Sequence, residues 1–309
     1  MRKQILTAVI QSYLIKVLKM AIIDSHTHLM ADARTISGMR WLQKLKNSST
    51  LLFDAEIDIN LTSERARQML IDAGVDYYFN FFFPFFKGDT DEVNRWNYEL
   101  SLRDPRCIPF ASLLPGDDKK IKILDKAFHE YKCLGLKLHP YAQKFSAADY
   151  RLYEVYNYLQ ETGRPAVIHT GYEDLYKMEC NQEELKKILK MFPQLIMIIP
   201  HLCYPNVDNA FRFIEEYPQI YLDATNVFWN FKTVPPKEIW WEKIELYSER
   251  IVFGTDFTMG MAFPRRIYKH FAQLPLSEKT KENLLFRTAA KLVRQCGREL
   301  IIENNAAGI

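Results

Sequence analysis

The chain has 309 residues, 48% of them hydrophobic and 26% charged, a composition that supplies a large core and excludes an intrinsically disordered protein. Lysine and arginine exceed aspartate and glutamate by only three, 41 against 38, so there is no electrostatic footprint for nucleic-acid binding. The five cysteines are scattered without a CxxC motif, which indicates reduced thiols in a cytoplasmic protein rather than a disulfide framework.

The first nineteen residues differ in pattern from the rest. The basic pair Arg2-Lys3 precedes a short apolar run at Ile5–Ile10, as in a secretion signal, but no small-residue cleavage site follows. Apolar residues then recur at helical spacing. We therefore predict that residues 1–19 are a helical or disordered extension, or lie upstream of a start at Met20, rather than an export signal. No stretch is long and apolar enough to span a bilayer, and no membrane partner is expected.

Beyond Met20, short apolar runs alternate with amphipathic, charged segments. The runs that we interpret as strands end near His28, Phe83, Leu113, His139, His169, His201, Asp223 and Gly254. Predicted helices between them include Ser63–Ala73, Asp118–Cys133, Ala147–Thr162, Gln182–Met191, Val207–Tyr217, Glu238–Tyr247 and Glu278–Arg294. Eight strands that alternate with helices predict an α/β protein with a parallel (β/α)8 TIM barrel. We expect a single barrel domain over residues 20–300.

One segment exceeds the minimal strand–helix repeat. Residues 29–62 directly follow the first strand. They form a predicted insertion of over thirty residues that includes Met39-Arg40-Trp41-Leu42. A connection of that length is usually functional, so a lid or a substrate pocket is one interpretation, and an insertion packed on the rim is the other. The following strand region, Tyr77–Phe86, is rich in aromatic residues, most of which should be core with one or two reaching the pocket.

Five of the seven histidines end predicted strands, and a carboxylate ends another. His26 and His28 project from one face of the first strand, because alternate residues of a strand point the same way. His169, His201 and Asp256 follow at the ends of later strands. A parallel barrel brings the carboxyl ends of its strands to one rim, and neutral imidazole and carboxylate are ligands of zinc and similar ions. The pattern therefore predicts a metal site on a barrel enzyme.

As an ordered set, these strand ends resemble the amidohydrolase superfamily. The closest likeness is to its amidohydrolase-related branch, which includes metal-dependent hydrolases and the aminocarboxymuconate-semialdehyde decarboxylase group. The resemblance extends from about Ala21 to the helix near Asn283–Val293 and implies a metal-dependent TIM barrel. The motifs that carry it are Ile23-Asp24-Ser25-His26-Thr27-His28, Gly135-Leu136-Lys137-Leu138-His139-Pro140, Val167-Ile168-His169-Thr170-Gly171, Pro200-His201 and Phe253-Gly254-Thr255-Asp256.

The resemblance implies a role for each matching residue. His26 and His28 resemble the first-strand metal ligands, His169 the fifth-strand ligand and Asp256 the eighth-strand ligand. His201 matches a histidine that in the family either binds a second metal or acts on the water of the first. We expect one divalent ion, zinc, with a second metal as the alternative. Such an ion lowers the pKa of its water towards about 7. Asp256 and His201 are the predicted catalytic residues, with Asp256 as general base and then general acid.

Lys137 is open to several interpretations. In binuclear members of the superfamily a fourth-strand lysine is carbamylated and bridges two metals, and Lys137 lies on the corresponding strand. His139 points the same way two residues later and competes for the rim position. Lys137 is therefore a carbamylated bridge, an ammonium that neutralises a substrate carboxylate, or a charge paired inside the barrel. We assign substrate binding to both residues, and to two loop residues, Asn226 and Arg265, the second as a clamp for an anionic group.

The sequence predicts an enzyme that acts on a small molecule. The leading hypothesis is a hydrolase of an amide, lactone or ester, and the alternative is a metal-dependent non-oxidative decarboxylase. A catalytically silent barrel is disfavoured by the complete set of rim residues. A homo-oligomer is possible on this sequence, and neither a nucleic acid nor a membrane is expected as a partner. The fold hosts many chemistries, so the motifs predict the site and leave the substrate open.

Overall fold

Eight short parallel strands close into a barrel in the computed structural model, which describes residues 20–47, 54–232 and 235–301. Neighbouring strands pair in parallel from the first to the third and from the fourth to the eighth. Bridges at Ala111–Leu136 and Thr27–Phe257 join the two sheets into a ring. The predicted α/β barrel is confirmed. Its strands are β1 Ile23–Thr27, β2 Tyr77–Asn80, β3 Cys107–Pro109, β4 Leu136–Leu138, β5 Ala166–Ile168, β6 Met197–Ile199, β7 Ile220–Asp223 and β8 Ile251–Val252.

Helices follow the strands and cover the outside of the barrel. Those longer than one turn are α1 Asp32–Lys46, α2 Ser63–Asp72, α3 Thr90–Arg103, α4 Lys120–His129, α6 Tyr153–Thr162, α8 Gln182–Met191, α9 Val207–Glu216, α11 Glu238–Leu246, α12 Pro264–Ala272, α13 Glu278–Glu282 and α14 Thr288–Gln295. One-turn helices α5 Pro140–Gln143, α7 Glu173–Tyr176 and α10 Val227–Asn230 lie in the loops after β4, β5 and β7. None of the helices in the described ranges is long and apolar enough to cross a membrane.

Alternation along the strands separates two apolar layers. On β4, Leu136 and Leu138 belong to the core between strands and helices, while Lys137 between them faces the barrel interior. The interior at the amino ends of the strands is filled with apolar side chains packed against α14, among them Ile23, Phe79, Ile108, Val167, Ile198 and Val252. Apolar packing at the amino ends therefore leaves the carboxyl ends of the strands as the place where polar side chains enter the barrel interior.

Two local features shape the first strand. The register between β1 and β2 shifts between Asp24 and Thr27, so the strand is irregular where the His-x-His segment begins. Beyond it, the Asn80 side chain takes over the pairing. Its amide accepts from the Leu29 backbone N–H at 2.8 Å and donates to the Leu29 carbonyl at 2.9 Å. The β2 ladder therefore ends at Asn80 rather than near Phe83, because a side chain occupies the backbone groups that the next residues would use.

The predicted insertion after β1 contains a helix. Within residues 29–62, α1 spans Asp32–Lys46, and residues 48–53 lie outside the described ranges, as does the predicted extension 1–19. The predicted helix Glu278–Arg294 is interrupted by a π turn at Asn283–Arg287 between α13 and α14. Asn283 there donates to the Ser248 hydroxyl at 3.0 Å, and Thr288 donates to the Ser248 carbonyl at 3.0 Å. Both bonds tie the widened turn to the barrel wall before β8.

Candidate metal centre and active site

Three side chains predicted as metal ligands converge at the carboxyl end of the barrel. The Nε2 atoms of His26 and His28 lie 3.2 Å apart. The Asp256 Oδ1 atom lies 3.3 Å from the His26 Nε2 and 3.1 Å from the His28 Nε2. All three residues are buried. Donor atoms at these separations can share one cation at ordinary ligand distances of about 2.0–2.2 Å.

Hydrogen bonds on the far side of each ring fix how the two histidines are oriented. The His26 Nδ1 lies 2.5 Å from the Asp223 Oδ2, and the His28 Nδ1 lies 2.7 Å from the Phe81 carbonyl oxygen. A carbonyl only accepts, so the His28 Nδ1 carries the proton. Burial raises the pKa of Asp223 to about 7, and its carboxylate imposes the same tautomer on His26 when it is ionised. Each neutral ring then presents an Nε2 lone pair to the centre, as metal-binding histidines do.

The close approach of the three donor atoms shows whether a metal ion fits between them. Two imidazole lone pairs and a carboxylate oxygen face one another at 3.1–3.3 Å, an unfavourable contact of like partial charges unless a cation lies between them. Burial and the charge of Lys137 keep the pKa of His26 well below its usual range, so the ring stays neutral. The residues therefore fit a divalent metal ion, and the imidazole and carboxylate donors suit zinc among others.

His169 lies beside these residues with its ligand atom free. Its ring is buried, and its Nε2 has no hydrogen-bond partner among the described residues. The ring stacks on His139 with centres 3.7 Å apart and lies 4.9 Å from the His201 ring. A buried and unpaired ring nitrogen is costly unless it binds something, which agrees with the predicted ligand role.

His201 reaches the same centre through an unusual backbone. Residues His201, Leu202 and Cys203 have φ angles of 58°, 43° and 54°, a left-handed run that non-glycine residues rarely adopt. The Nδ1 atom donates to the Thr225 carbonyl at 3.1 Å, which leaves Nε2 as an acceptor. One ligand atom each from His201, His26 and Asp256 lie within 4.8 Å of one another. Burial, only partly offset by Asp256, lowers the pKa of His201 to about 4, so the ring is neutral at pH 7.

Asp256 is held by Asn226, which sequence analysis assigned to substrate binding. The Asn226 amide donates to the Asp256 Oδ2 at 2.6 Å, so Oδ1 is the oxygen that faces the histidines. Both residues have left-handed backbones, with φ of 65° and 60°. Burial would raise the pKa of Asp256, but the positive charges of His28 and His201, when protonated in acid, and of Lys137 outweigh it and lower the pKa, so the carboxylate is ionised at pH 7. Asn226 therefore contacts the carboxylate directly and does not line the cavity described below.

Two further predicted residues, Lys137 and Arg265, differ in how close they lie to the centre. Lys137 is fully buried beneath the centre, with its Nζ 3.4 Å from the His26 Nε2 and 4.7 Å from the centre of the Phe81 ring. Burial lowers the pKa of Lys137 to about 8, although Asp256 and Asp223 oppose the shift. Arg265, in contrast, is exposed at the start of α12 and does not line the cavity, so the structure does not bring it to the centre.

A cavity of about 390 Å³ opens onto the centre. Its walls are largely apolar, and His28, His139, His169 and Asp256 form its polar side. The insertion helix α1 contributes one wall through Arg34, Ser37, Gly38 and Trp41, so this part of the predicted insertion lines the pocket. The other lining residues are Met30, Phe83, Phe85, Phe86, Ala142, Lys144, Tyr176 and Met259.

Two residues of this site were not predicted as site residues from the sequence. Asp223 ends β7 and orients His26, and its position at a strand end was the only available hint. Tyr176 lies in the one-turn helix α7, in a segment without apolar periodicity, and reaches the cavity only through the course of the loop after β5. Both residues lie far in sequence from His26 and His28, and the fold brings them to the site.

Comparison with known proteins gives matches over most of the chain. A family model described as Amidohydrolase matches residues 23–295. Protein fluG of Emericella nidulans is 23% identical over 185 residues, which is 54% of this chain and only 21% of the length of that protein. An uncharacterized TIM-barrel protein of Bordetella bronchiseptica has a TM-score of 0.68 at 18% identity, covering 90% of this chain and 100% of that one.

A second solved structure carries a metal. A 5-carboxyvanillate decarboxylase of Novosphingobium aromaticivorans, with bound manganese, has a TM-score of 0.63 at 11% identity, covering 90% of this chain and 98% of that chain. At these identities the two solved structures establish the shared fold and not a shared reaction.

Proposed function

The chain belongs to the amidohydrolase family, and from that membership and the site geometry we propose that it is a metal-dependent hydrolase of a small amide, lactone or ester. One observation carries the proposal. The lone pairs of His26 and His28 and an oxygen of Asp256 converge within 3.3 Å, at the base of a cavity large enough for a small substrate.

We assign the metal to four residues. His26, His28, His169 and Asp256 would hold one divalent ion, and zinc is the ion that best suits three imidazoles and a carboxylate. The unpaired Nε2 of His169 and the oriented rings of the first two histidines support this set. His201 and Lys137 are the residues from which a second metal would draw its ligands. When bound, a divalent ion in this position would act as a Lewis acid and would lower the pKa of a water molecule to about 7.

The chain's own residues supply the proton transfers. Asp256 is ionised, so it accepts the proton of the attacking water and returns it to the leaving group. The Asn226 amide holds the other carboxylate oxygen and keeps Asp256 aimed at the centre. His201 is neutral with Nε2 as an acceptor, which suits it to hold that water in line with the substrate carbonyl. His139, which stacks on His169 and lines the cavity, contacts the substrate.

A decarboxylase is the second candidate, and the cavity walls favour it. Aromatic rings dominate the lining, which would suit an aromatic acid and would favour loss of its charge. Two cations, Arg34 and Lys144, lie at the cavity, but Arg34 is bound to Asp89 at 3.0 Å. Lys137, for which neutralising a substrate carboxylate was one of three interpretations, does not line the cavity. Lys144 is exposed to solvent and Arg34 is paired, so among the described lining residues no buried, unpaired cation is available for a substrate carboxylate, and hydrolysis remains the first proposal.

One experiment separates the two. Purified protein is analysed for metals and then screened against ester, lactone, amide and aromatic-acid panels, with acid release and carbon dioxide release measured separately. We expect about one zinc per chain and hydrolysis. The matched control is His129→Ala, an exposed histidine on α4, which should keep both, whereas His28→Ala should lose both. Carbon dioxide release without hydrolysis would replace the first proposal by the second, and a metal-free, inactive protein would contradict both.

A further inference from the structure

Tyr176 is held rigidly at the cavity wall by rings on several sides. Its ring packs against Trp41 of the insertion helix with centres 5.7 Å apart. It meets the His139 ring at 5.1 Å and the His169 ring at 5.5 Å, both edge to face. A fourth ring, Tyr141, lies 5.8 Å away. These contacts fix where the Tyr176 hydroxyl lies, because the ring cannot turn without displacing a candidate metal ligand or the insertion helix.

The hydrogen bonds of His139 determine which proton is shared with Tyr176. The Ala142 backbone N–H donates to the His139 Nδ1 at 3.2 Å, so this nitrogen carries no proton. The proton of the ring is then on Nε2, which lies 3.3 Å from the Tyr176 hydroxyl oxygen. The hydroxyl oxygen therefore accepts from His139, and its own O–H is not used in that bond.

The O–H of Tyr176 has a free direction into the cavity. Tyr176 and His139 both line the cavity, together with His28, His169 and Asp256. No other hydrogen-bond partner of the Tyr176 hydroxyl occurs among the described residues. The other polar lining groups outside the metal centre are an arginine paired with Asp89 and the exposed side chains of Ser37 and Lys144. Tyr176 thus offers a neutral O–H donor, free of other partners among the described residues, in an otherwise aromatic wall.

We infer that Tyr176 is a substrate-binding residue whose hydroxyl donates a hydrogen bond to an oxygen of a carbonyl substrate attached to a flat apolar group, and that His139 sets the direction of that hydroxyl. The inference deepens the proposed function and rests on it, because only an enzyme's ligand in this cavity is a substrate. A carbonyl oxygen is the acceptor that the spare O–H requires, and the rings of Trp41 and Phe83 provide the flat apolar contacts.

A pair of probes tests this in the metal-loaded protein. Acetophenone carries a carbonyl oxygen on a phenyl ring, and α-methylstyrene has the same shape with a CH2 group in place of that oxygen. Dissociation constants of both are measured by calorimetry. We expect Tyr176→Phe to weaken acetophenone binding by about fivefold, the scale of one neutral hydrogen bond, with less than about twofold change for α-methylstyrene. This binding measurement does not depend on turnover, so it remains decisive if the hydrolase proposal fails.

Control variants separate the hydroxyl from the shape of the wall. Tyr172→Phe removes a hydroxyl that accepts from the Asn230 amide at 3.0 Å, away from the cavity, and should leave the ratio of the two dissociation constants unchanged. His139→Phe keeps a ring against His169 and should lower the preference for acetophenone, with little further loss when combined with Tyr176→Phe. Equal weakening of both probes in Tyr176→Phe, an unchanged ratio, or no acetophenone binding to the unmodified protein at about 10 mM would overturn the inference.

Discussion

The two ends of the barrel are built from the same eight strands and obey different rules. At the amino ends, Ile23, Val167 and Ile198 alternate regularly, point inward and pack against α14. At the carboxyl ends, buried imidazoles and carboxylates meet, and His201 and Asp256 adopt left-handed backbones. Regular alternation with apolar residues stabilises one end, while the other end holds polar groups that are costly to bury and are useful only when they bind.

The residues that stabilise the fold and the residues that carry the chemistry therefore lie at opposite ends of the strands. Changes at the carboxyl ends should alter metal binding and turnover, and changes at the amino ends should alter the free energy of unfolding while turnover per folded molecule stays the same. Effects on turnover should therefore fall from the metal ligands at one end of the barrel to the apolar interior at the other.

Loss of a metal ligand should have the largest effect. His26→Ala or His28→Ala removes one of two nitrogens that lie 3.2 Å apart at the centre. We expect metal content to fall to below about a tenth per chain and activity to become undetectable, since lost ligation leaves no activated water. Metal analysis alongside rate measurement checks this. Full metal content in either variant would remove that histidine from the ligand set.

Asp256→Asn should separate ligation from proton transfer. Asparagine keeps an oxygen near the centre, but it cannot accept a proton at neutral pH. We expect substantial metal retention with turnover reduced by at least about a hundredfold, the scale of general acid–base assistance. Occupancy is measured with the rate, because Asp256 is also a proposed ligand. Near-normal turnover in the fully metallated variant would transfer the proton-accepting role to His201.

Asp223→Asn should act through His26 rather than directly. The carboxylate lies 2.5 Å from the His26 Nδ1, and an amide in its place accepts the same hydrogen bond without the charge. We expect metal affinity to fall by about 10- to 100-fold, as for other residues that orient a ligand. Titration with zinc should then restore most of the turnover. Loss of turnover that persists at saturating zinc would show that Asp223 does more than orient His26.

Acid should destabilise the metal-free protein through the carboxyl-end histidines. The pKa of His201 falls from 6.5 to about 4 on folding, so the unfolded chain binds a proton in this range that the folded chain does not. Its contribution is fully present above pH 6.5 and is lost as the pH falls to about 4, by up to about 3 kcal/mol. His201→Gln should lose correspondingly less stability between pH 7 and 4.5 in denaturant unfolding. An identical pH dependence in the variant would refute this assignment.

The amino end should give the smallest effect on turnover. Ile198→Val removes one buried methylene from the apolar interior and should lower the free energy of unfolding by about 1 kcal/mol. Metal content and turnover per folded molecule should not change. A drop in metal affinity in this variant would contradict the separation of stability from chemistry, because it would couple the amino-end packing to the centre.

The barrel and the candidate metal ligands could both be predicted from the sequence alone. Apolar runs of strand length predicted all eight strands, and the residues that end them included His26, His28, His169 and Asp256. This worked because a parallel barrel collects its strand ends at one rim, so a polar residue after an apolar run already specifies a place in space.

The orientation and the partners of those residues depend on the tertiary structure. Strand alternation would place His201 with Met197 and Ile199, which face the helices, and the left-handed run at His201 turns the ring towards His26 instead. Asn226 was predicted to bind substrate and lies 2.6 Å from Asp256, while Arg265 stays at the surface. Tyr176 enters through a one-turn helix. Backbone turns, loop paths and hydrogen-bond partners depend on contacts between distant segments, and no local pattern of residue types encodes them.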